Sequence, residues 1–132
     1  PATPERLEAR QRMTPFGQAV RKLRSERKIS QKQMAADLGV SAAYLSALEH
    51  GNRSEPSWQM VQRIIGYFNI IWDEAEELQR LALLSKPRVT IKTRKLNPRA
   101  TIVANRIAEN FDHLTADDIE RLDAMMNEVE GR

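Results

Sequence analysis

Residues 30–51 read SQKQMAADLGVSAAYLSALEHG, and the order of small, apolar and turn-forming side chains in this stretch decides the kind of domain it builds. Ser30 followed three residues later by Gln33 has the form of a capping box, which predicts a short helix ending near Leu38. Gly39 stands where a sharp helix exit needs left-handed backbone. Ser41 then caps a further helix running to Glu49 or His50, where Gly51 and Asn52 supply a turn. Two short helices joined this tightly cross steeply, so the side chain at their contact must be small and the second helix needs inward anchors. Ala35 is that small contact, Met34, Leu38 and Val40 are inner packing, and Leu45 and Leu48 are the anchors. Small, turn and anchor positions together predict a helix-turn-helix from Gln31 to about Leu48.

Outward from this stretch, helix starts are legible on both sides. Thr14 before Pro15 is an N-cap with proline at the first helical position, where its missing N–H costs nothing. Phe16, Val20 and Leu23 form the inward stripe of this first helix, to about Arg27. Past a loop through Pro56, Ser57 caps a fourth helix with Val61, Ile64, Ile65 and Phe68 inward. Asp73 with Glu76 is expected to cap a fifth, with Ala75, Leu78, Leu81 and Ala82 on one side. Trp58 and Trp72 are expected in the core or at helix junctions. Pro87 ends the helical pattern, and Val89 and Ile91 alternate with Arg88, Thr90 and Lys92, as in a short strand or extended linker.

Asn97 and Pro98 repeat the cap-plus-proline start. Ile102, Val103, Ile107 and Phe111 mark a sixth helix. Thr115 to Asp118 is a capping box for a seventh, with Leu114 and Ile119 as its hydrophobic staple. Ile119, Leu122, Met126 and Val129 make a heptad-like seam on that helix. The expected organisation is all-α. It comprises a flexible basic arm over residues 1–13, a five-helix domain over 14–85, a basic linker or short strand over 86–97 and a two-helix oligomerisation region over 98–132.

On its residues from about Phe16 to Phe68 the chain resembles the Cro/repressor family of helix-turn-helix regulators, also called the XRE family. The matching features are RKLRSERKISQKQMAADLGVSAAYLSALEHG and the downstream Pro56, Ser57, Val61 and Ile64. The resemblance implies a compact five-helix domain in which the third helix enters the major groove of DNA and the second lies across it. It places Ala42, Ala43 and Ala47 at the family's main base-reading positions. Those positions often carry Gln, Asn, Arg or Ser, and alanine offers only contact with a thymine methyl. Tyr44 either contacts a base edge or phosphate or lies against its own domain. Backbone and short polar groups suited to phosphate are those of Gln31, Lys32, Ser41 and Ser46, with Asn52, Arg53 and Ser54 in the following loop and His50 beside them. With so few hydrogen-bonding groups on the reading face, Arg6, Arg10 and Arg12 of the arm are expected to share recognition.

The net charge of +3 is modest, but its distribution is uneven. Residues 1–30 hold eight Lys/Arg against three acids, residues 86–106 hold seven Lys/Arg and no acid, and residues 107–132 hold two Arg against eight acids. This suggests a phosphate-facing basic side and an acidic end turned away from it. The basic run Arg88, Lys92, Arg94, Lys95 and Arg99 reads as a solvated linker, as a partner for the acidic helices of a second copy, or as extra phosphate contact. The last two helices pack on each other, on a second copy, or both. The chain has no cysteine, no Gly-rich phosphate loop and no nucleophile beside a base, and neither His50 nor His113 has a metal-binding neighbour. We therefore expect no enzyme activity, no cofactor and no metal. No membrane-length apolar run or signal-like segment is present, so a cytoplasmic, nucleoid-associated location of bacterial or phage type is expected. The expected function is a sequence-specific transcriptional regulator, a repressor by family resemblance, binding double-stranded DNA at a palindromic operator as a homodimer. The alternative is an antitoxin whose N-terminal domain binds DNA and whose C-terminal region holds a protein partner, the toxin.

Overall fold

The computed structural model describes residues 13–51 and 56–132, and every regular element among them is helical. The helices are α1 (Pro15–Glu26), α2 (Gln31–Leu38), α3 (Ala42–His50), α4 (Trp58–Phe68), α5 (Trp72–Leu83), α6 (Pro98–Asn110) and α7 (Ala116–Glu130), with one 3-10 turn at Phe111–His113. Backbone packing divides the chain into two units, Pro1–Val89 and Thr90–Arg132.

In the first unit, side-chain caps start four of the five helices. The oxygens of Thr14, Ser30, Ser41 and Ser57 accept from the backbone N–H three residues on, each cap contributing about 1 kcal/mol. A further orphan donor of α1, the Phe16 N–H, is satisfied from across the domain by Ser85 Oγ at 2.9 Å. Ser85 in turn donates to Leu81 O, so this buried hydroxyl ties the end of α5 to the start of α1. Between α2 and α3, Gly39 adopts φ 72°, and Val40 N–H closes back on Ala35 O at 2.9 Å. That left-handed residue turns the chain sharply enough for the two helices to pack.

The inward stripes meet in one core. Phe16 and Val20 of α1, Met34, Ala35 and Leu38 of α2, Leu45 and Leu48 of α3, Val61, Ile64 and Phe68 of α4, and Leu78 and Ala82 of α5 are all buried. Leu23, Val40, Ile65, Ala75 and Leu81 pack half-buried against them. Arg27 closes the far side, its guanidinium 5.3 Å from the Phe68 ring centre and donating to Phe68 O. Asp37 joins α2 to α4 by accepting from the Tyr67 hydroxyl at 2.6 Å.

Several local expectations are corrected. Ser30 caps α2, but the Gln33 amide donates to Asp37 at 2.7 Å instead of reaching back, so the box is only half made. Helix α5 begins at Trp72 with Ile71 in the cap position and no side-chain cap; Asp73 and Glu74 lie in its first turn, where they favour the positive end of the helix dipole. Trp58 and Trp72 are outside the core, at 63% and 80% exposure, and Trp72 adopts φ 54°. Among the described residues, 86–97 form no strand and contain a turn closed by Leu96 N–H to Thr93 O.

The second unit is two helices joined by the 3-10 turn. Thr115 and Asp118 make the expected reciprocal capping box at the start of α7. Helices α6 and α7 border an open groove lined by Val103, Ile107, Leu114, Leu122 and Met125, with Arg106, Asp118 and Arg121 among its polar positions. No residue of Thr90–Arg132 is buried.

Two glycines in the first unit should respond to alanine with opposite signs. A Cβ on Gly17 would stand 1.8 Å from Glu49 O, so α1 and α3 would have to part; a Cβ on Gly66, inside α4, meets nothing within 4 Å. Thermal denaturation should show Gly17→Ala destabilised by about 1–3 kcal/mol or more, and Gly66→Ala stabilised by roughly 0.5–1 kcal/mol. Burial and the Asp37 carboxylate push the Tyr67 phenol from 10.0 up to about 12. A phenol raised on folding supplies stability that is complete below pH 10.0 and is lost as pH rises toward 12. A spectrophotometric titration should find this late-ionising tyrosine in the wild type and not in Tyr67→Phe.

Candidate nucleic-acid interface

The position of α3 is set by a carboxylate on its inward face. Glu49 shares that face with Leu45 and Leu48, and its side chain is 1% exposed. An ionised group at that depth must be paired. Arg24 of α1, itself 12% exposed, meets it with two parallel hydrogen bonds, Nε to Oε1 at 3.1 Å and Nη2 to Oε2 at 3.2 Å. The remaining guanidinium nitrogen, Nη1, donates to Ile29 O at 3.4 Å in the α1–α2 turn. Gln31, the first residue of α2, donates its amide to Glu49 Oε2 at 3.1 Å. Thr14 N–H donates to the Glu49 carbonyl at 3.3 Å, and the absent side chain of Gly17 lets α1 approach that carbonyl. One residue thus holds α1, α2 and α3 in register.

With Leu45, Leu48 and Glu49 inward, Ser41, Ala42 and Ala43 are exposed and Ser46 and Ala47 half-exposed on α3. Ser41 also caps the helix, accepting from Tyr44 N–H at 2.9 Å. Tyr44 is half-buried and packs against the core. His50 Nδ1 donates to Ser46 O at 2.9 Å, which ties the ring to its own helix and leaves Nε2 as the nitrogen for an outside partner. On α2, Lys32 is exposed while Gln31 is half-buried and engaged with Glu49. Asn52, Arg53 and Ser54, and Arg6, Arg10 and Arg12 of the arm, lie outside the described residues.

The structure therefore brings Lys32, Ser41, Ala42, Ala43, Ser46 and Ala47 toward solvent, while Gln31 and Tyr44 are partly turned into the domain. The anchoring pair of Arg24 and Glu49 escaped the sequence reading. Its signal was present: Arg24 follows Val20 by four residues on the stripe of α1, and Glu49 follows Leu45 by four on that of α3. A charge on each of two inward stripes implies a pair between them.

Residues 17–78 match the family model described as a helix-turn-helix domain. The segment that matches lies within the first unit, which in those residues is similar to a helix-turn-helix domain. The chain is 33% identical over 61 residues to the uncharacterized HTH-type transcriptional regulator RghRB of Bacillus subtilis (strain 168), an alignment covering 46% of this chain and 44% of that protein. It is 40% identical over 52 residues to the HTH-type transcriptional repressor RghR of the same organism, covering 39% of this chain and 38% of that one. The likeness thus spans less than half the length of either relative. No solved structure matches the chain. The matched segment runs from α1 into α5 and contains Arg24 and Gln31, the described partners of the Glu49 side chain. No described helix is long and apolar enough to cross a membrane.

Removing one member of the pair leaves the other charged and buried. Arg24→Ala should cost about 3–5 kcal/mol in urea denaturation, and the double variant Arg24→Met with Glu49→Leu should recover most of that loss. A cost for Arg24→Ala below about 1 kcal/mol, the range of surface pairs, would show that the carboxylate is not held as described.

Proposed function

We propose that the chain is a sequence-specific DNA-binding transcriptional repressor that acts as a homodimer on a palindromic operator, with α3 lying in the major groove. The observation that carries this reading is the division of α3 into an anchored inner face and an outer face of small side chains. Leu45, Leu48 and Glu49 fix the helix from within, and Ala42, Ala43 and Ala47 leave its outer surface low enough for the backbone to approach base edges closely. The helix-turn-helix match and the name of one relative, a transcriptional repressor, support the same reading.

On this reading the alanines read thymine methyls by contact, because they have no hydrogen-bonding group for a bidentate base pair contact. Phosphates are met by Lys32, by Ser41 and Ser46, and by the unpaired first-turn N–H groups of α2, whose positive dipole end favours an anion. Gln31 contributes chiefly by its backbone, since its amide is engaged with Glu49. His50 is available through Nε2, and on this reading Asn52 and Arg53, which lie outside the described residues, add contacts to the DNA backbone. Tyr44 packs half-buried against the core. A reading face this poor in donors places much of the specificity in DNA shape.

Selection of bound sites from random DNA tests the reading directly; a protein that enriches no sequence over background is not a sequence-specific regulator. Ala47→Gln should change preference at one base pair by about 1–3 kcal/mol while leaving the rest of the site intact. Lys32→Ala should weaken binding to all sequences alike and reduce the salt slope by about one, as titrations at several ionic strengths would reveal.

A further inference from the structure

Within Thr90–Arg132 the helices are well capped but nothing is buried. Helices of 13 and 15 residues are marginal alone in water, and a segment of about 40 residues usually needs a disulfide, a metal or association to hold its fold. The chain has no cysteine. Ile102, Val103, Phe111, Ile119, Met125, Met126 and Val129 nevertheless stand between 37% and 54% exposed. That much apolar surface on so small a unit marks an interface.

The charges say what covers it. On α6, Arg99, Ile102, Val103 and Arg106 fall at spacings of three, four and seven residues and so share a face. On α7, Ile119, Asp123, Met126 and Glu130 fall at four, seven and eleven and also share one. Each face joins two apolar residues to two charges of one sign, positive on α6, where they flank the apolar pair, and negative on α7, where they alternate with it. Arg106 and Val103 also line the open groove, so the basic face continues into it. A unit that carries one basic and one acidic apolar face is complementary to a second copy of itself under two-fold symmetry, where each contact occurs twice.

We propose that Thr90–Arg132 is half of a two-fold interface in which the Arg99–Ile102–Val103–Arg106 face of α6 in one copy receives the Ile119–Asp123–Met126–Glu130 face of α7 in the other. The apolar residues supply the association and the charges fix its register and exclude the alternative in which α6 meets α6 or α7 meets α7. This deepens the proposed homodimer by naming its surface, and the interface itself needs no DNA.

Charge exchange on the full chain, without DNA, tests it by sedimentation equilibrium at micromolar concentration. The wild type should have the mass of two chains. Arg99→Glu with Arg106→Glu makes both faces acidic, and Asp123→Lys with Glu130→Lys makes both basic, so each double variant alone should fall to half that mass. Mixing the two restores both complementary contacts and should restore the dimer with one chain of each kind. The quadruple variant, with its signs exchanged throughout, should dimerise by itself, which shows that the substitutions permit folding. A monomeric wild type, a double variant that dimerises as the wild type does, or a mixture and quadruple variant that both stay monomeric overturns the proposal. A stable dimer that selects no DNA sequence would count against the DNA reading alone, and a monomer that selects a half-site against this interface alone.

Discussion

The Glu49 carboxylate, buried among three helices, is the constraint on which the first unit depends. An ionised group with 1% of its side chain exposed must have its oxygens occupied, and Arg24 and Gln31 occupy them from α1 and α2. Hydrophobic contact alone would tolerate some sliding of α3 against its neighbours, since apolar attraction is not directional. A bidentate guanidinium tolerates little. Such a pair adds little net stability over apolar residues of the same volume, but it fixes where the helix sits. The close approach of Gly17 to the Glu49 carbonyl then fixes α1 against the same turn of α3 from the backbone side.

A helix fixed so firmly from within can present a sparse outer face. The exposed alanines of α3 contribute no directed hydrogen bonds, and the residues that have them are spread over Lys32, Ser41, Ser46 and the helix ends. The anchored and the exposed residues are thereby separated onto opposite sides of nine residues. Outer-face substitutions therefore change what the helix touches without disturbing what holds it.

The second unit follows the opposite economy. Its helices have good caps and clear amphipathic stripes, yet their apolar faces have no counterpart within Thr90–Arg132. The folded core of the first unit is closed by five helices in one neighbourhood; two helices cannot enclose a side chain on all sides. Arg99 and Arg106 on one face of α6, and Asp123 and Glu130 on one face of α7, give those faces a sign as well as an apolar surface.

The described helices, their limits and most of the core were legible in the sequence because they depend on short-range chemistry: Thr14 with Pro15, Ser30, Ser41 with Gly39, and Thr115 with Asp118 act within four residues of where they stand. The stripes of Phe16 and Val20, or of Val61, Ile64 and Phe68, are legible for the same reason, since helical periodicity alone places them on one face. The reading stopped short where the outcome depends on residues far along the chain. Trp58 and Trp72 are large and apolar, but whether the core has room for them depends on how α4 and α5 meet it, and of the two places expected they take the helix starts, outside the core. Gln31 opens α2, as its place after Ser30 implies, but only the fold turns its amide toward a carboxylate 18 residues away. The sequence by itself determined the elements and their inner faces, through local capping and periodicity. Only the tertiary structure decided which charges are buried together and which apolar faces stay uncovered, because burial is a property of the elements assembled and not of any one of them.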